Sequence, residues 1–165
     1  NTSAGSDRHR PGLSGEPTVV RNPADGIGSR REAREMALGL LYSAEAHNAD
    51  PRELLAAQPT AAGDYSGLLV EGVAEHLEEI DALIDRYAEG WKADRMPAVD
   101  RALARLAVFE LGYVPSVPTA AVLSEAVELV GDYSTDRSSR FVNGLLSRIA
   151  EELRPEVVHG PDPGA

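Results

Sequence analysis

Arg30, Arg31 and Arg34 put three guanidinium groups within five residues, at the start of a stretch with helical apolar spacing. Cations there face the positive end of the helix dipole, a misplacement that suits a helix end serving an anionic ligand. Guanidinium groups fit phosphates and base edges, so RNA is the natural ligand class. The plainer reading is a solvated helix start, and spacing alone leaves both open. A second group surrounds Phe141-Val142-Asn143-Gly144, with Arg137 and Arg140 just upstream. Asn and Gly inside an apolar helix cost helix propensity, about 1 kcal/mol for Gly relative to Ala. Compensation is expected from close approach of another helix at Gly144 and from a buried backbone group bonded by Asn143. Phe141 suits either core packing or stacking on a base.

Catalytic chemistry finds no support in the residue types. The four histidines, at 9, 47, 76 and 159, are scattered, and no pair has metal-ligand spacing on one helix face. No nucleophile motif or phosphate-cradling glycine loop accompanies them. Neither a cofactor nor a metal is expected. With no cysteine there is no disulfide framework and no thiolate site.

These groups must be positioned by helices, because no stretch alternates with period two. Ser29 and Glu32 read as a capping box opening the first helix. Counting from Ala33, the stripe Ala33, Ala37, Leu40, Leu41 and Ala44 covers about −20° to 80°. Arg31, Leu38 and Tyr42 fall at about 160°, 140° and 180°, opposite that stripe. Either this helix is sandwiched in the fold or its second face meets a partner. A short helix is expected after Asp50-Pro51, then one long helix over 64–88 with Leu68, Leu69, Val73, Leu77, Ile80, Ile84 and Tyr87 inward and Gly90 as its stop. Trp91 is expected to plug the junction between helical layers, and Asp94 and Asp100 to cap helix starts or interact favourably with their dipoles. Arg101 and Arg105 lie one turn apart, with Glu110 as counter-charge. Helices follow from near Pro97, around Val122–Val130, and from about Ser138. The fold class is all-α, with six or seven helices.

Residues 1–28 and 155–165 are polar, rich in Gly and Pro, and read as disordered tails around a folded unit at 29–154. The 165-residue length suits one domain. No apolar run is long enough to span a membrane and no signal-peptide pattern opens the chain, so a cytoplasmic location is expected. The net charge of −11 is unfavourable for a general nucleic-acid coat. Residues 1–28 are balanced (Asp7, Glu16 and Asp25 against Arg8, Arg10 and Arg21), so the imbalance lies in the folded part. RNA binding must then rest on a local basic patch. One continuous patch over Arg30, Arg31, Arg34, Arg137 and Arg140 would support it, and ion pairs with Glu32, Glu35 and other acids would weaken it.

The motifs in order resemble the NusB family of transcription antitermination factors. They are Arg30-Arg31-x-x-Arg34 leading to Leu40-Leu41-Tyr42, Trp91-x-x-Asp94-Arg95, Val99-Asp100-Arg101-Ala102, and Leu106-Ala107-x-x-Glu110-Leu111. Pro118 ahead of Ser124-Glu125-Ala126-Val127-Glu128-Leu129, and Phe141-Val142-Asn143-Gly144 followed by Leu146, complete the set. The resemblance spans residues 29 to about 154 and implies two small helical sub-bundles. It implies binding to boxA-type RNA of ribosomal RNA leader transcripts together with NusE, a small-ribosomal-subunit protein, in an RNA polymerase antitermination complex. It assigns RNA contact to Arg30, Arg31 and Arg34, with Phe141 and neighbours Arg137 and Arg140 contributing. It places Tyr42 and Asp100 on the NusE-facing surface, beside Leu38. A homodimer that hides the RNA surface is a further state known in the family. The chain departs from the pattern at Val130-Gly131, where many relatives carry Ala-Lys, and at Arg137, near which relatives often carry an acid. Its acidity leads to weak RNA binding alone and tighter binding beside a basic partner. Two other functions fit the same residues. One is the RNA-binding module of a ribosomal RNA cytosine methyltransferase, which would need a catalytic domain after Ala165. The other is a helical protein-interaction module without RNA.

Overall fold

The computed structural model describes residues 27–58 and 64–155, and the two tails inferred from composition lie almost wholly outside them. Among the described residues the chain forms seven α-helices and one 3₁₀ turn, Ala93–Arg95, with no strand. The helices are α1 (Ile27–Ala46), α2 (Pro51–Ala56), α3 (Tyr65–Glu75), α4 (Leu77–Tyr87), α5 (Ala98–Tyr113), α6 (Thr119–Tyr133) and α7 (Asp136–Leu153). None is long and apolar enough to cross a membrane.

Local chemistry accounts for several boundaries. Asp50 caps α2 by accepting the Arg52 backbone N–H at 2.9 Å, with Pro51 in the first turn where its missing donor costs nothing. Asp64 accepts the Tyr65 N–H at 2.9 Å, and Thr135 the Ser138 N–H at 3.1 Å, opening α3 and α7. Beyond the end of α4, Gly90 takes a φ of +81°, a left-handed conformation that glycine adopts without penalty. Helix α1 starts at Ile27, so Ser29 lies inside it and is not its cap.

Helix α5 is the spine. Eleven of its residues are buried, as expected for a helix enclosed on all sides. On one side α1, α2 and α3 pack together and α1 and α3 pack on α5; on the other, α4, α6 and α7 pack on it. The two sub-bundles therefore share one helix.

The long helix over 64–88 is two helices. His76 breaks it at φ −107°, ψ 21°, so α3 can lie on α1 and α5 while α4 turns towards α5 and α7. The His76 ring stacks on Tyr113 with centroids 4.0 Å apart, and Tyr113 donates its hydroxyl to Glu79. One stripe cannot run through the break: Leu68 and Leu77, both expected inward, are 45% and 37% exposed. Just before the break, Gly72 allows α5 to approach, since a Cβ there would sit 2.1 Å from Phe109 Cζ.

An ion pair fixes α1 on this scaffold. Arg34 forks onto Glu110 of α5, Nε to Oε1 at 2.8 Å and Nη2 to Oε2 at 2.7 Å. The Tyr65 hydroxyl of α3 donates to the same Oε2 at 2.7 Å. All three side chains are buried, Arg34 at 4%, Tyr65 at 2% and Glu110 at 1% exposure. Burial opposes the charge on Arg34, but the hydrogen bonds and field of Glu110 outweigh it and raise the guanidinium pKa. Burial, then the negative charge of Glu110, pushes the Tyr65 phenol far above its ordinary value.

Three outcomes follow from this packing. Gly72→Ala should lower stability by about 1–3 kcal/mol in urea unfolding, because the Phe109 ring must move. Glu110→Ala should cost about 3–5 kcal/mol by leaving Arg34 buried and unpaired. Above pH 10.0, the ordinary value for tyrosine, the unfolded chain loses the Tyr65 proton while the folded chain keeps it. Stability is then intact below that pH and falls as pH rises past it. Alkaline unfolding of Tyr65→Phe, compared with the native chain, should show a shallower fall.

Candidate nucleic-acid interface

The arginines divide according to whether the chain's own acids neutralise them. In α1, Arg34 is spent on Glu110, so its expected role as an RNA contact is corrected: the guanidinium faces the core, with both its fork atoms taken. Arg31 is one-third exposed and stands among Glu35 at 3.5 Å, Glu128 at 3.1 Å and Asp132 at 2.9 Å. Glu128 and Asp132 belong to α6, so on the second face of α1 the Arg31 side chain bridges to α6 while Leu38 is buried in the core. Arg30 is half-buried, and its Nε has no partner among the described residues.

Helix α7 presents its arginines differently. Arg137 and Arg140 are exposed, and neither has an ion-pair partner among the described residues. The Arg137 guanidinium carbon lies 5.7 Å from the centre of the Trp91 ring, within cation–π range. Phe141 meets the same indole edge-on, centroids 5.1 Å apart at 77°. Trp91 is half-buried, so the expected internal plug is instead one wall of a partly open aromatic cluster with a cation over it. Sequence reasoning gave Trp91 no binding role; its neighbourhood with Arg137 is a tertiary contact between the segment after α4 and the first turn of α7. Arg140 lines a groove with Ser139 and Asn143 of α7 and Ala120, Leu123, Ser124 and Val127 of α6. Asn143 is exposed and does not satisfy a buried backbone group. A Cβ on Gly144 would find nothing nearer than Arg148 Nη2 at 3.9 Å, so no helix exploits its small size.

The five arginines singled out from the sequence do not form one continuous positive patch. Carboxylates of α6 stand around Arg31, whereas on α7 Arg137 and Phe141 lie against Trp91 and Arg140 lines the groove with α6.

The expected partner face is also redrawn. Leu38 is only 6% exposed, whereas Tyr42 is 47% exposed. They share an open depression with Glu35, Gly39, Val99 and Tyr133. Asp100 is fully buried and neither carboxylate oxygen has a hydrogen-bond partner, so it does not reach the surface as a partner contact. It occupies the first turn of α5, whose cap is Pro97; a capping box needs a backbone N–H there, and proline has none. The helix dipole favours its charge in that turn. Arg101 and Arg105 pair with Glu45 and Asp81, not with Glu110. Among the described residues no group of three or more His, Cys, Asp or Glu could hold a metal.

Comparison with known proteins follows the same outline. A model of the NusB family matches residues 31–151. The transcription antitermination protein NusB of Salinispora arenicola is 51% identical over 131 residues, covering 74% of this chain and 96% of that protein. Its counterpart in Acidothermus cellulolyticus is 45% identical over 140 residues, covering 82% and 96%. Among solved structures, T. maritima NusB superposes with a TM-score of 0.67 at 35% identity, over 74% of this chain and 91% of that one. A crystal structure of antitermination factors NusB and NusE in complex with dsRNA gives 0.65 at 32% identity, over 74% and 96%.

Trp91 is the sole tryptophan, so its fluorescence reports on the aromatic cluster. Arg137→Ala should change its emission while costing less than about 1 kcal/mol in stability, as an exposed cation–π contact would. An unchanged spectrum would mean that the guanidinium does not sit on the ring.

Proposed function

The chain belongs to the NusB family, and from that premise we propose that it binds boxA-type leader RNA of ribosomal RNA transcripts together with NusE. In this reading the pair joins an RNA polymerase antitermination complex in the cytoplasm, and the protein acts by binding, not catalysis. One observation carries the RNA assignment: Arg137, with Phe141 against the Trp91 ring, and Arg140 on the same helix are uncompensated by any described acid. Guanidinium groups next to a partly open aromatic cluster suit phosphates and unstacked bases of a single strand. Arg30 extends the contact from α1. Arg31 joins only by exchanging its carboxylate partners for phosphate. Arg34 takes no direct part and holds α1 in place.

The protein partner is assigned to the depression around Tyr42. Its floor is Leu38, its rim includes Val99 and Tyr133, and Gly39 adds open space where a Cβ would touch nothing within 4 Å. An exposed tyrosine beside apolar and small residues is typical of an interface anchor. A basic ribosomal protein also complements a chain of net charge −11 and brings cations of its own. The same face is open to a second copy of this chain, a state that NusE would have to displace.

Gel shifts with boxA RNA should show weak binding by this protein alone and much tighter binding with NusE; equal affinities would defeat the cooperative reading. Arg137→Glu with Arg140→Glu should weaken the ternary complex at least about tenfold and reduce the salt slope by roughly two counterions. Tyr42→Asp should abolish the gain from NusE and leave the weak intrinsic RNA binding in place.

A further inference from the structure

Arg140, Gly144 and Arg148 stand four residues apart, in one row along the surface of α7. The middle member has no explanation within the chain. A mid-helix glycine lowers helix stability relative to alanine, and such a cost is commonly met by tight packing, as at Gly72 against Phe109. Gly144 has no such contact, since an added Cβ would meet only the Arg148 guanidinium, at an ordinary contact distance of 3.9 Å. Helical side chains lean towards the N-terminus, which carries Arg148 back over its fourth neighbour. The result is a stretch of bare backbone beside the Arg148 guanidinium, with Arg140 one turn nearer the N-terminus in the same row.

Both arginines are unspent. Neither has an ion-pair partner among the described residues, although 27 acids outnumber 16 bases in the chain. Arg31, Arg34, Arg52, Arg86, Arg101 and Arg105 all have carboxylate partners. The Arg148 Nε is buried and has no hydrogen-bond partner, so a donor is held in place without an acceptor. In a protein this acidic, leaving two such cations in one helical row, a turn to either side of a glycine, is the opposite of charge-neutral packing.

We propose that Gly144 is a close-approach position, where the phosphodiester backbone of RNA lies against α7 between Arg140 and Arg148. This rests on the RNA-binding reading above and extends the RNA path along the helix beyond Arg137, Arg140 and Phe141. It adds Arg148 as a phosphate contact. A Cβ at residue 144 would hold a phosphate off the helix by more than an ångström, beyond good hydrogen-bond reach of at least one guanidinium.

The test uses the full chain with NusE and a fluorescein-labelled boxA RNA oligonucleotide, read by anisotropy over a range of salt. Gly144→Ala should raise the thermal midpoint by a few degrees, because the structure has room for the methyl group and helix propensity improves. The same change should weaken RNA binding by about tenfold, with NusE binding unchanged. Gly144→Leu should weaken it further, and Arg148→Gln should lower the slope of log affinity against log salt by about 1. If the glycine variants and Arg148→Gln bind RNA like the native chain while Arg137→Glu with Arg140→Glu does not, the proposal falls and the wider RNA reading stands. If the native complex binds no RNA, both fall. Loss of NusE affinity with unchanged RNA binding would reassign this stretch of α7 to protein contact and overturn the proposal.

Discussion

A single buried carboxylate organises the first sub-bundle. Glu110 sits among apolar residues of α5, accepts both arms of the Arg34 fork from α1 and accepts the Tyr65 hydroxyl from α3. Three helices are thus referenced to two oxygen atoms. Desolvating a charge pair is costly, and burial here opposes ionisation of both the guanidinium and the phenol. Directional bonds are what the arrangement gains. Apolar residues alone would let α1 slide or rotate on α5, whereas a fork that fits one carboxylate fixes its rotation. The placement of Arg30, Arg31, Leu38 and Tyr42 depends on that rotation.

Charge is then divided between the helices. In α1 two of the three arginines serve the fold: Arg34 is internal and Arg31 is surrounded by Glu35, Glu128 and Asp132. In α7 they remain available, and Arg137 is turned over the Trp91 ring. A chain with a large excess of acid can keep a positive site only by leaving arginines without internal partners. The first helix, which draws attention in the sequence, is therefore the less available of the two. The protein's field as a whole still repels a polyanion, which gives a basic partner a physical role in assembly.

A count of six or seven helices, the Asp50-Pro51 start of α2 and the Gly90 turn were legible from residue spacing, and the family from its resemblance in six ordered motifs. The partition of the arginines was not, although part of the signal was present. Arg34 lies about 100° from Ala33, just past the edge of the apolar stripe, and Glu110 interrupts an apolar run, which together hint at a buried pair. Leu38 and Arg31 looked exposed because a single helix gives no hint of the core that buries Leu38 or of the α6 acids that reach Arg31. The break at His76 has neither Gly nor Pro to mark it, and the ring that stacks on His76 there, Tyr113, belongs to another helix. Asp100 was read as a cap or dipole partner and a surface residue, yet it and the next residues, Arg101 and Ala102, are buried by the rest of the chain. Tertiary context decided each of these, not local propensity.

The sharing of α5 bears on how the molecule comes apart. Two sub-bundles with separate cores could melt one at a time, leaving the other intact. Here the same helix lends one side to Ala33, Ala37 and Leu69 and another to Leu129, Leu145 and Leu146. Opening either half strips apolar surface from a helix that the other half needs, so neither is a self-sufficient foldon. The described helical unit should therefore lose its structure in one concerted transition. An RNA held on α7 and a protein held on α1 would each protect the whole of it from unfolding, even without touching one another.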